Sequence, residues 1–357
     1  MRRLTAGGPY YYALRAGSTI GGEVYERELL TRLPVHGIDL ELGLPRDHAL
    51  GEPPPGWRIT VLRHRVGLHW VVAPAVFAPY VLRLLRGRRV DVLRGHSVRH
   101  TGPALLLGRA LARSRVPVVL HHHHLYPRWA RLEAAIARRA DAVITVSEHS
   151  RRKLVAAGVP AERVHFVREG IAAPAPTQGW PDAWPGTGLR LLHLGRLEAR
   201  KRPELAVDTL AVLRRSGIDA SLVVAGEGPQ EELVARAAGL PVRFTGRVGE
   251  TDKWRLYDSA DVLLFGSTLE GFGLVVAEAQ SRGVTVVAAA GTATAEALDD
   301  GRTGVLAEPD AEAFAEAVRD VASRRAEMGT AAREFALGFD WDACAAAVAD
   351  IYRGLVR

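Results

Sequence analysis

The sequence predicts an α/β fold with two doubly wound domains, each built on a parallel sheet. Short β-branched runs alternate with longer helical patterns along the chain, which is typical of α/β proteins. The length of 357 residues suits roughly two domains of about 150 residues each. A stretch rich in Pro, Gly and Ala at residues 172–188 separates the two halves and is the predicted linker.

The strands and helices follow from the apolar runs in each half. In the first half the clearest strands are at residues 90–95, 117–122, 141–146 and 163–167, and two clear helices are at 102–114 and 127–139. In the second half the strands are at 189–195, 220–226, 242–246, 261–267 and 285–289. Ligands of such folds bind beyond the carboxyl ends of parallel strands and between domains, so we expect the site in a cleft between the halves.

Charge is distributed unevenly along the chain. The net charge of +7 combines +14 over residues 1–180 with −7 over residues 181–357. An anionic partner, either a phosphorylated acceptor or a membrane surface, would explain the basic half, and so would a composition bias toward arginine. From Pro74 to Arg89 the sequence predicts a helix with an apolar face and a basic end, which suits either a buried surface helix or one that lies on a membrane.

Cysteine usage and the amino terminus indicate the compartment. Cys344 is the single cysteine, so no intramolecular disulfide can form, which fits a reducing environment. The first 35 residues contain no apolar run long enough for a signal peptide. We therefore expect a cytoplasmic protein, with peripheral membrane association as an open alternative.

Two basic side chains follow the first strand of the second half. The sequence there reads GRLEARKRP, so Gly195, Arg196 and Lys201 lie where the strand gives way to a helix. A guanidinium and an ammonium beside a glycine that permits close approach suit a diphosphate, whose charge must be neutralised as it departs. A solvated basic helix start is the simpler alternative.

Two glutamates and two glycines follow a later strand of the same half. The chain reads STLEGFGLVVAEAQSRG, in which Gly271 and Gly273 stand between Glu270 and Glu278. A helix that begins near Gly273 would direct its free amide groups at phosphate or sugar oxygens. Glu278 would accept hydrogen bonds from a vicinal diol such as a ribose. Glu270 by itself is also typical of a helix cap, and its combination with the glycines favours a ligand site.

The motifs of the second half, taken together, resemble a known family. The motifs read, in chain order, GRLEARK, VVAGEGP, FTGRV, EGFGLVVAEA and DDGRTGVL. In order and spacing they resemble the carboxyl domain of the retaining glycosyltransferases of family 4, which have the GT-B fold. The resemblance extends to GGEVYERELLTRLPVHG, VDVLRGHS and VSEHSRRKLVAAGVPAERVHFVREGI in the first half and to FDWDACAAAVADIYRGL at the end. It leaves out residues 1–17 and about 43–70.

The resemblance implies a GT-B architecture of two Rossmann-like domains that face a central cleft. An acceptor-binding domain would cover residues 1–171, and a nucleotide-sugar donor-binding domain would cover 189–337. Residues 338–357 would form a helix that crosses back to the first domain.

The resemblance also implies a role for each matched donor-site residue. Arg196 and Lys201, beside Gly195, would hold the donor diphosphate, and Glu278 would bind the ribose. The transferred sugar would meet Glu270 and the backbone of Gly271, Phe272, Gly273 and Leu274. The base would lie against Gly246, Arg247 and Val248, largely through backbone groups. From the other domain, the phosphates would be approached by Gly21 and Gly22.

Four consecutive histidines end the strand at 117–122. Because strand side chains alternate between faces, His121 and His123 point one way while His122 and His124 point the other. Aligning PVVLHHHHLYPR with the family's PVVVTVHDLYPR makes His123 the active-site histidine, which would hydrogen-bond to the transferred sugar. A slip of one residue would exchange it for His122 or His124.

No metal site is predicted. His96 and His100 stand at helical spacing and could join the histidine run, but the chain has neither HExxH nor clustered cysteines. The DWD at 340–342 matches the Asp-x-Asp that holds a metal in other glycosyltransferases, yet it falls in the crossover segment and is interpreted as structural.

The favoured function is a metal-independent retaining transferase that moves a hexosyl group from a UDP- or GDP-sugar to a small-molecule or lipid-linked acceptor. No cofactor is expected beyond the nucleotide sugar. One alternative is a nucleotide-sugar epimerase or phosphorylase of the same fold, and another is a non-catalytic protein that binds anionic lipid or nucleic acid. No helix-turn-helix or aromatic-interleaved basic stripe supports nucleic-acid binding.

Two departures from the family pattern stand out. The usual apolar first strand is replaced by RLTAGGPYYYALRAGST, which fits no simple pattern. Glu169 precedes Gly170 where the family often has Asn.

Overall fold

Two compact units make up the protein. The structure is a computed structural model and describes residues 2–10, 21–48, 52–65, 71–123, 127–229 and 231–356. Unit 1 comprises Met1–Gly170 and Asp340–Arg357, and unit 2 comprises Ile171–Phe339. Unit 1 therefore ends at Gly170, one residue before the predicted end of the first domain at residue 171. The chain returns to unit 1 at Asp340.

Unit 1 contains a seven-stranded parallel sheet with helices between the strands. In chain order its elements are β1 (Leu4–Pro9), α1 (Gly21–Arg32), β2 (Ile38–Pro45), β3 (Trp57–Leu62), α2 (Ala73–Arg86), β4 (Val92–Gly95), α3 (Gly102–Leu111), β5 (Val118–His122), α4 (Ala130–Ala137), β6 (Ala142–Thr145), α5 (Glu148–Ala156) and β7 (Val164–Phe166). The strand order is β3-β2-β1-β4-β5-β6-β7.

Unit 2 repeats this plan with six parallel strands. Its elements are β8 (Leu189–Leu194), α6 (Pro203–Arg215), β9 (Ala220–Ala225), α7 (Glu231–Arg236), β10 (Val242–Gly246), α8 (Glu250–Ser259), β11 (Val262–Phe265), α9 (Leu274–Ser281), β12 (Thr285–Ala289), β13 (Gly304–Ala307), α10 (Ala311–Ser323) and α11 (Arg325–Ala336). The strand order is β10-β9-β8-β11-β12-β13. Both sheets have the doubly wound order, so the predicted fold class is confirmed.

The last helix, α12 (Trp341–Val356), packs on α1 in unit 1. A Cβ atom on Gly170 would lie 2.3 Å from the backbone nitrogen of Trp341, so only glycine fits where this helix begins. Cys344 and Tyr352 are buried on its inner face. The predicted return of the chain to the first domain is confirmed.

The first strand corrects the sequence analysis. Residues 4–9 form β1 between β2 and β4, although they include two glycines and a proline. A Cβ atom on Gly8 would lie 2.1 Å from the carbonyl oxygen of Arg94, and one on Gly7 would lie 2.6 Å from that of Glu41. The neighbouring strands approach so closely that only glycine fits, which removes the apolar signature of a strand. The rest of the irregular stretch, residues 11–19, lies outside the described residues.

The segment predicted as a linker belongs to unit 2. The backbone amide of Thr177 donates to the Asp258 carboxylate at 2.8 Å, and the amide of Trp180 donates to the Ser259 hydroxyl at 3.2 Å. Trp184 is buried. These contacts hold residues 177–180 against α8, and the Arg243 guanidinium of the edge strand β10 donates to the Asp182 carbonyl.

A fully buried polar network ties the strands of unit 1 to α1 and α12. Arg94 on β4 donates two hydrogen bonds to the Glu26 carboxylate, at 2.6 and 2.9 Å, and the Tyr10 hydroxyl donates to the same group. On β5, His121 meets the Tyr25 hydroxyl through Nδ1 at 2.9 Å and the Tyr352 hydroxyl through Nε2 at 3.0 Å. The buried charges of Arg94 and Glu26 neutralise each other. A charge buried without its partner would be strongly destabilising.

Among the described residues, no helix combines the length and the apolarity that crossing a bilayer requires.

Candidate active site

The strand order of unit 2 places two loops side by side at the carboxyl edge of its sheet. β8 and β11 are neighbours, and the chain leaves β8 toward β9 but leaves β11 toward β12. In open α/β sheets such a reversal opens a crevice in which ligands bind. The loop after β8 carries Arg196 and Lys201, and the loop after β11 carries Glu270, so these sequence-predicted residues meet at this point.

The loop after β8 presents two cations in different environments. Gly195 has a φ of +152°, and its amide donates to the Ala225 carbonyl at 3.0 Å, which fastens the loop to β9. The Arg196 side chain is 57% exposed and pairs with Glu198. Lys201 ends a short 3₁₀ turn and is only 14% exposed. Its ammonium donates to the Glu270 carboxylate.

The loop after β11 is cross-linked to the same 3₁₀ turn. The Thr268 amide donates to the Arg200 carbonyl at 2.9 Å, and the Arg200 guanidinium donates to the Leu269 carbonyl at 3.2 Å. Arg200 also lies 3.9 Å from Glu270. The carboxylate of Glu270 is therefore placed between two cations, and an incoming anion would compete with it for Lys201.

The amino end of α9 supplies free backbone donors. Gly273 precedes the helix with a φ of +109°, a conformation that favours glycine. Within the described part of the chain, no acceptor meets the amides of Leu274 and Val275. Such amides, with the helix dipole behind them, attract anionic oxygens. The Phe272 ring is buried edge-on against Phe339, so only the backbone of Phe272 can serve a ligand there.

Glu278 is held by two side chains of α8. Lys253 donates to one carboxylate oxygen at 2.7 Å and the Tyr257 hydroxyl donates to the other at 3.0 Å. Burial lowers the pKa of Lys253, but Glu278 and Glu250 outweigh it, so the net pKa is raised and the ammonium stays charged. Burial, and then Glu278, raise the pKa of Tyr257 well above its usual value, which keeps the hydroxyl a donor. Each carboxylate oxygen keeps a second lone pair for a ligand hydroxyl.

Glycines bring the ends of β8, β9 and β10 close together. A Cβ atom on Gly226 would lie 1.8 Å from the carbonyl oxygen of Gly195. Gly246 ends β10 with a φ of +65°, and its carbonyl accepts from the Gly226 amide at 2.9 Å. Arg247 is exposed and Val248 is half-buried just beyond. The predicted base-binding segment thus adjoins the loop after β8.

In unit 1, His123 follows β5 and contacts two side chains. Its Nδ1 atom lies 3.7 Å from a carboxylate oxygen of the buried Glu169. The Tyr25 ring packs edge-on against it, with centroids 4.7 Å apart. The predicted phosphate-binding glycines, Gly21 and Gly22, form the first turn of α1.

The other candidates for the active-site histidine have different surroundings. His122 is buried, and its Nε2 atom lies 3.7 Å from Glu133 on α4. His124 lies outside the described residues.

The residues weighed as metal ligands have other partners. His96 stacks on Tyr10 at 4.5 Å, and His100 meets the Ser97 hydroxyl at 3.0 Å. Asp340 accepts from the Asp342 amide at 2.7 Å, where α12 begins. No group of three or more His, Cys, Asp or Glu residues suited to a metal occurs in the part of the chain that the structure describes.

Three further residues of this region, which the sequence did not predict, are Arg200, Lys253 and Tyr257. Arg200 stands inside the quoted motif GRLEARK but carries no separate signal. Lys253 and Tyr257 stand four residues apart on α8, so they share one helix face. Two polar side chains on the buried face of a helix could have indicated that Lys253 and Tyr257 hold a buried polar partner.

The chain matches two protein-family models and several curated proteins. The family model described as Glycosyltransferase Family 4 matches residues 20–173, and the one described as Glycosyl transferases group 1 matches residues 188–324. Among curated relatives, a glycogen synthase of Mycobacterium tuberculosis is 34% identical over 242 residues, which is 63% of this chain and 57% of the relative.

Two further relatives act on different molecules. A GDP-mannose-dependent alpha-(1-6)-phosphatidylinositol dimannoside mannosyltransferase of M. tuberculosis is 37% identical over 45% of this chain and 43% of its own. A D-inositol 3-phosphate glycosyltransferase of Streptomyces avermitilis is 34% identical over 64% of this chain and 52% of its own. The chain thus spans about half the length of the curated relatives it matches.

Solved structures match over nearly the whole chain. Sucrose-phosphate synthase from Thermosynechococcus elongatus has a TM-score of 0.79 at 20% identity and covers 99% of both chains. Anabaena HepE in complex with UDP-glucose has a TM-score of 0.76 at 19% identity and covers 99% of this chain and 100% of its own. At these identities the likeness concerns the fold.

Proposed function

The chain belongs to the family 4 glycosyltransferases, and from this premise we propose that it transfers a hexosyl group from a nucleoside diphosphate sugar to an acceptor hydroxyl. The observation that carries the proposal is the meeting of Lys201, Glu270 and the free amides of α9 at the reversal of strand order in unit 2. Cations and amide donors beside a carboxylate suit a ligand that joins a diphosphate to a sugar.

The donor is proposed to be a UDP- or GDP-sugar. Its diphosphate would take the place of Glu270 at Lys201 and would meet Arg196, whose side chain is largely exposed. Its ribose would bind Glu278, the base would lie along residues 246–248, and Gly21 and Gly22 would approach the phosphates. Relatives support this choice by name, since one is GDP-mannose-dependent and one solved neighbour holds UDP-glucose.

In the proposed reaction the bond from the anomeric carbon to the diphosphate breaks, and the diphosphate takes the electron pair. The acceptor oxygen bonds to the anomeric carbon, and its proton passes to the departing diphosphate oxygen. Lys201, Arg196 and the α9 amides would stabilise the negative charge that develops on the diphosphate. Because these groups can supply that positive charge, we propose that no metal is required. Retention of the anomeric configuration is inferred from family membership.

Glu270, His123 and the backbone from Gly271 to Leu274 are proposed to hold the transferred sugar. When donor and acceptor are held in the reactive orientation, the bimolecular step becomes effectively unimolecular, which lowers the activation barrier. The acceptor would bind unit 1 and would be a small molecule or a lipid-linked one.

The proposal is tested by mass analysis of products. The protein is incubated with UDP-, GDP-, ADP- and TDP-hexoses, with and without EDTA, in the presence of D-inositol 3-phosphate, an α-glucan or a mannosylated phosphatidylinositol. An acceptor heavier by one hexosyl group supports transfer, and slow release of nucleoside diphosphate supports donor binding. A donor isomer of unchanged mass indicates an epimerase, and a sugar phosphate indicates a phosphorylase. Neither transfer nor donor hydrolysis with any nucleotide sugar contradicts the proposal.

A further inference from the structure

We propose that Glu169 is a positioning residue that fixes the orientation and tautomer of His123, so that Nδ1 carries the proton and Nε2 accepts a hydrogen bond from the transferred sugar. This inference rests on the proposed function in one respect, the contact of His123 with that sugar. The observations behind it concern the protein alone.

The first observation is the approach of a buried carboxylate to one ring nitrogen. His123 Nδ1 and Glu169 Oε1 are 3.7 Å apart, and the Glu169 side chain is 5% exposed. This distance exceeds that of a hydrogen bond, and unliganded active sites often show such long contacts that tighten when substrate binds. An ionised carboxylate has no proton to donate, so it favours the tautomer with hydrogen on Nδ1.

The second observation is the state of the other nitrogen. His123 Nε2 is buried and meets no hydrogen-bond partner among the described residues. A buried polar atom without a partner is costly, so it calls for a ligand. With the proton on Nδ1, this nitrogen presents a lone pair and suits a hydroxyl donor, which a sugar supplies.

The third observation is that the ring plane is fixed independently of Glu169. Tyr25 packs edge-on against His123 at 83°. The Tyr25 hydroxyl is itself tied to His121 at 2.9 Å, and His121 is tied to Tyr352 on α12 at 3.0 Å. Tyr25 therefore sets where the imidazole lies, while Glu169 decides which nitrogen holds the proton.

The identity of residue 169 decides which ring nitrogen of His123 carries the proton. An amide side chain at this position could donate or accept, so it would allow either tautomer. A carboxylate at the same place accepts only. The residue also stands just before Gly170, where the chain leaves unit 1, so its backbone is anchored at the start of α12.

The experiment reads the His123 ring directly. Long-range proton–nitrogen correlation spectra of the ¹⁵N-histidine-labelled protein are recorded near neutral pH, and the His123 signals are assigned among the 13 histidines by their loss in His123→Gln. We expect Nδ1 to give the protonated, pyrrole-like shift. A pyrrole-like Nε2 in the wild-type protein overturns the proposal, and this measurement needs no substrate.

Glu169→Gln supplies the second reading, and Glu133→Gln is its matched control. Glu133 is another buried carboxylate 3.7 Å from a histidine of the same strand end, His122. Glu169→Gln should mix the His123 tautomers and lower kcat about three- to tenfold with a smaller change in the donor KM, as expected for one weakened hydrogen bond. Glu133→Gln should leave the His123 signals and kcat unchanged.

The outcomes separate this inference from the proposed function. Unaltered His123 shifts in a folded Glu169→Gln variant overturn the positioning role, whatever the activity. Loss of kcat in Glu133→Gln but not in Glu169→Gln also overturns it and assigns the active-site role to His122. Absence of transfer by the wild-type protein would instead contradict the proposed function and leave the spectroscopic result to be judged by itself.

Discussion

Every charged side chain proposed to bind the donor already has a protein partner. Lys201 is paired with Glu270, Arg196 with Glu198, and Glu278 with Lys253. A ligand that binds these side chains must therefore displace the partners that they already have. The exchange at Lys201 is favourable if the diphosphate, with its greater charge, replaces one carboxylate. Glu278, in contrast, supports Lys253 and Tyr257 as well as a ligand, so its removal would also affect stability.

Replacing Lys201 by methionine should lower kcat by roughly 100- to 1,000-fold, because one charge that stabilises the departing diphosphate is lost. Arg196→Met should also lower kcat and, because its side chain is 57% exposed, should leave the melting temperature unchanged. Steady-state kinetics and thermal unfolding of both variants measure these effects.

The control is Lys153→Met, which removes an exposed lysine of α5 and should be silent in both assays. Wild-type kcat in a folded Lys201→Met variant would remove Lys201 from the donor site.

At the scale of an element, α2 presents a mixed apolar and basic surface. We define the α2 surface as the exposed positions Val72, Val76, Pro79, Arg83 and Arg86, which recur at three- or four-residue spacing along the helix and its cap. Its opposite face, including Phe77 and Leu84, is buried in the core of unit 1. The helix is thus a core element whose outer side remains available.

If the acceptor is lipid-linked, the α2 surface should bind anionic vesicles. Each arginine near such a surface contributes about 1 kcal/mol, so Arg83→Gln with Arg86→Gln should weaken vesicle partitioning roughly 30-fold at low salt. Co-sedimentation with phosphatidylserine-rich vesicles, compared with neutral vesicles, measures it.

The matched control replaces Arg214 and Arg215, which occupy the last turn of α6 in the acidic half of the chain. No pelleting of the wild-type protein on anionic vesicles at low salt would exclude the membrane and favour a small soluble acceptor.

At the scale of the whole molecule, buried titratable groups should make both units sensitive to acid. Burial lowers the pKa of His96 in unit 1 to about 3 and that of His193 in unit 2 to about 4. Burial also raises the pKa of Glu26, but Arg94 outweighs it and lowers the pKa to about 2. Each histidine stays neutral when folded and takes up a proton when unfolded.

The free energy of unfolding should therefore fall as the pH drops below 6.5, by on the order of 1.4 kcal/mol per pH unit for each histidine until its folded pKa is reached. Below about 4.5 the Glu26 ion pair adds to the loss, because the unfolded carboxyl then binds a proton before the folded one does. Urea unfolding between pH 7 and 4 measures the slope.

His96→Phe, which can retain the stacking on Tyr10, and His193→Leu should each flatten that slope in a folded protein. His48→Gln, at a partly exposed site, serves as the control and should not. Equal slopes in all four proteins would show that these histidines do not govern acid stability.

Local pattern was enough to predict five of the six strands of the second sheet and the loops after β8 and β11. The strand at 242–246 and the strand at 285–289 match β10 and β12 residue for residue, and the others differ at their ends by one or two residues. Buried parallel strands are continuous apolar runs, and the glycines at their ends mark turns that other residues cannot adopt. Four strands escaped prediction, namely β1, β2, β3 and β13.

The sequence by itself determined the two doubly wound units, the order of their motifs and the residue types in the loops after β8 and β11, because periodicity, turn chemistry and spacing are local properties of the chain. Only the tertiary structure decided which charges meet. Lys201 faces Glu270, Glu278 is held by Lys253 and Tyr257, and Glu169 reaches His123. These pairings depend on which strand ends become neighbours and on how closely backbones approach there, and no local pattern encodes either quantity.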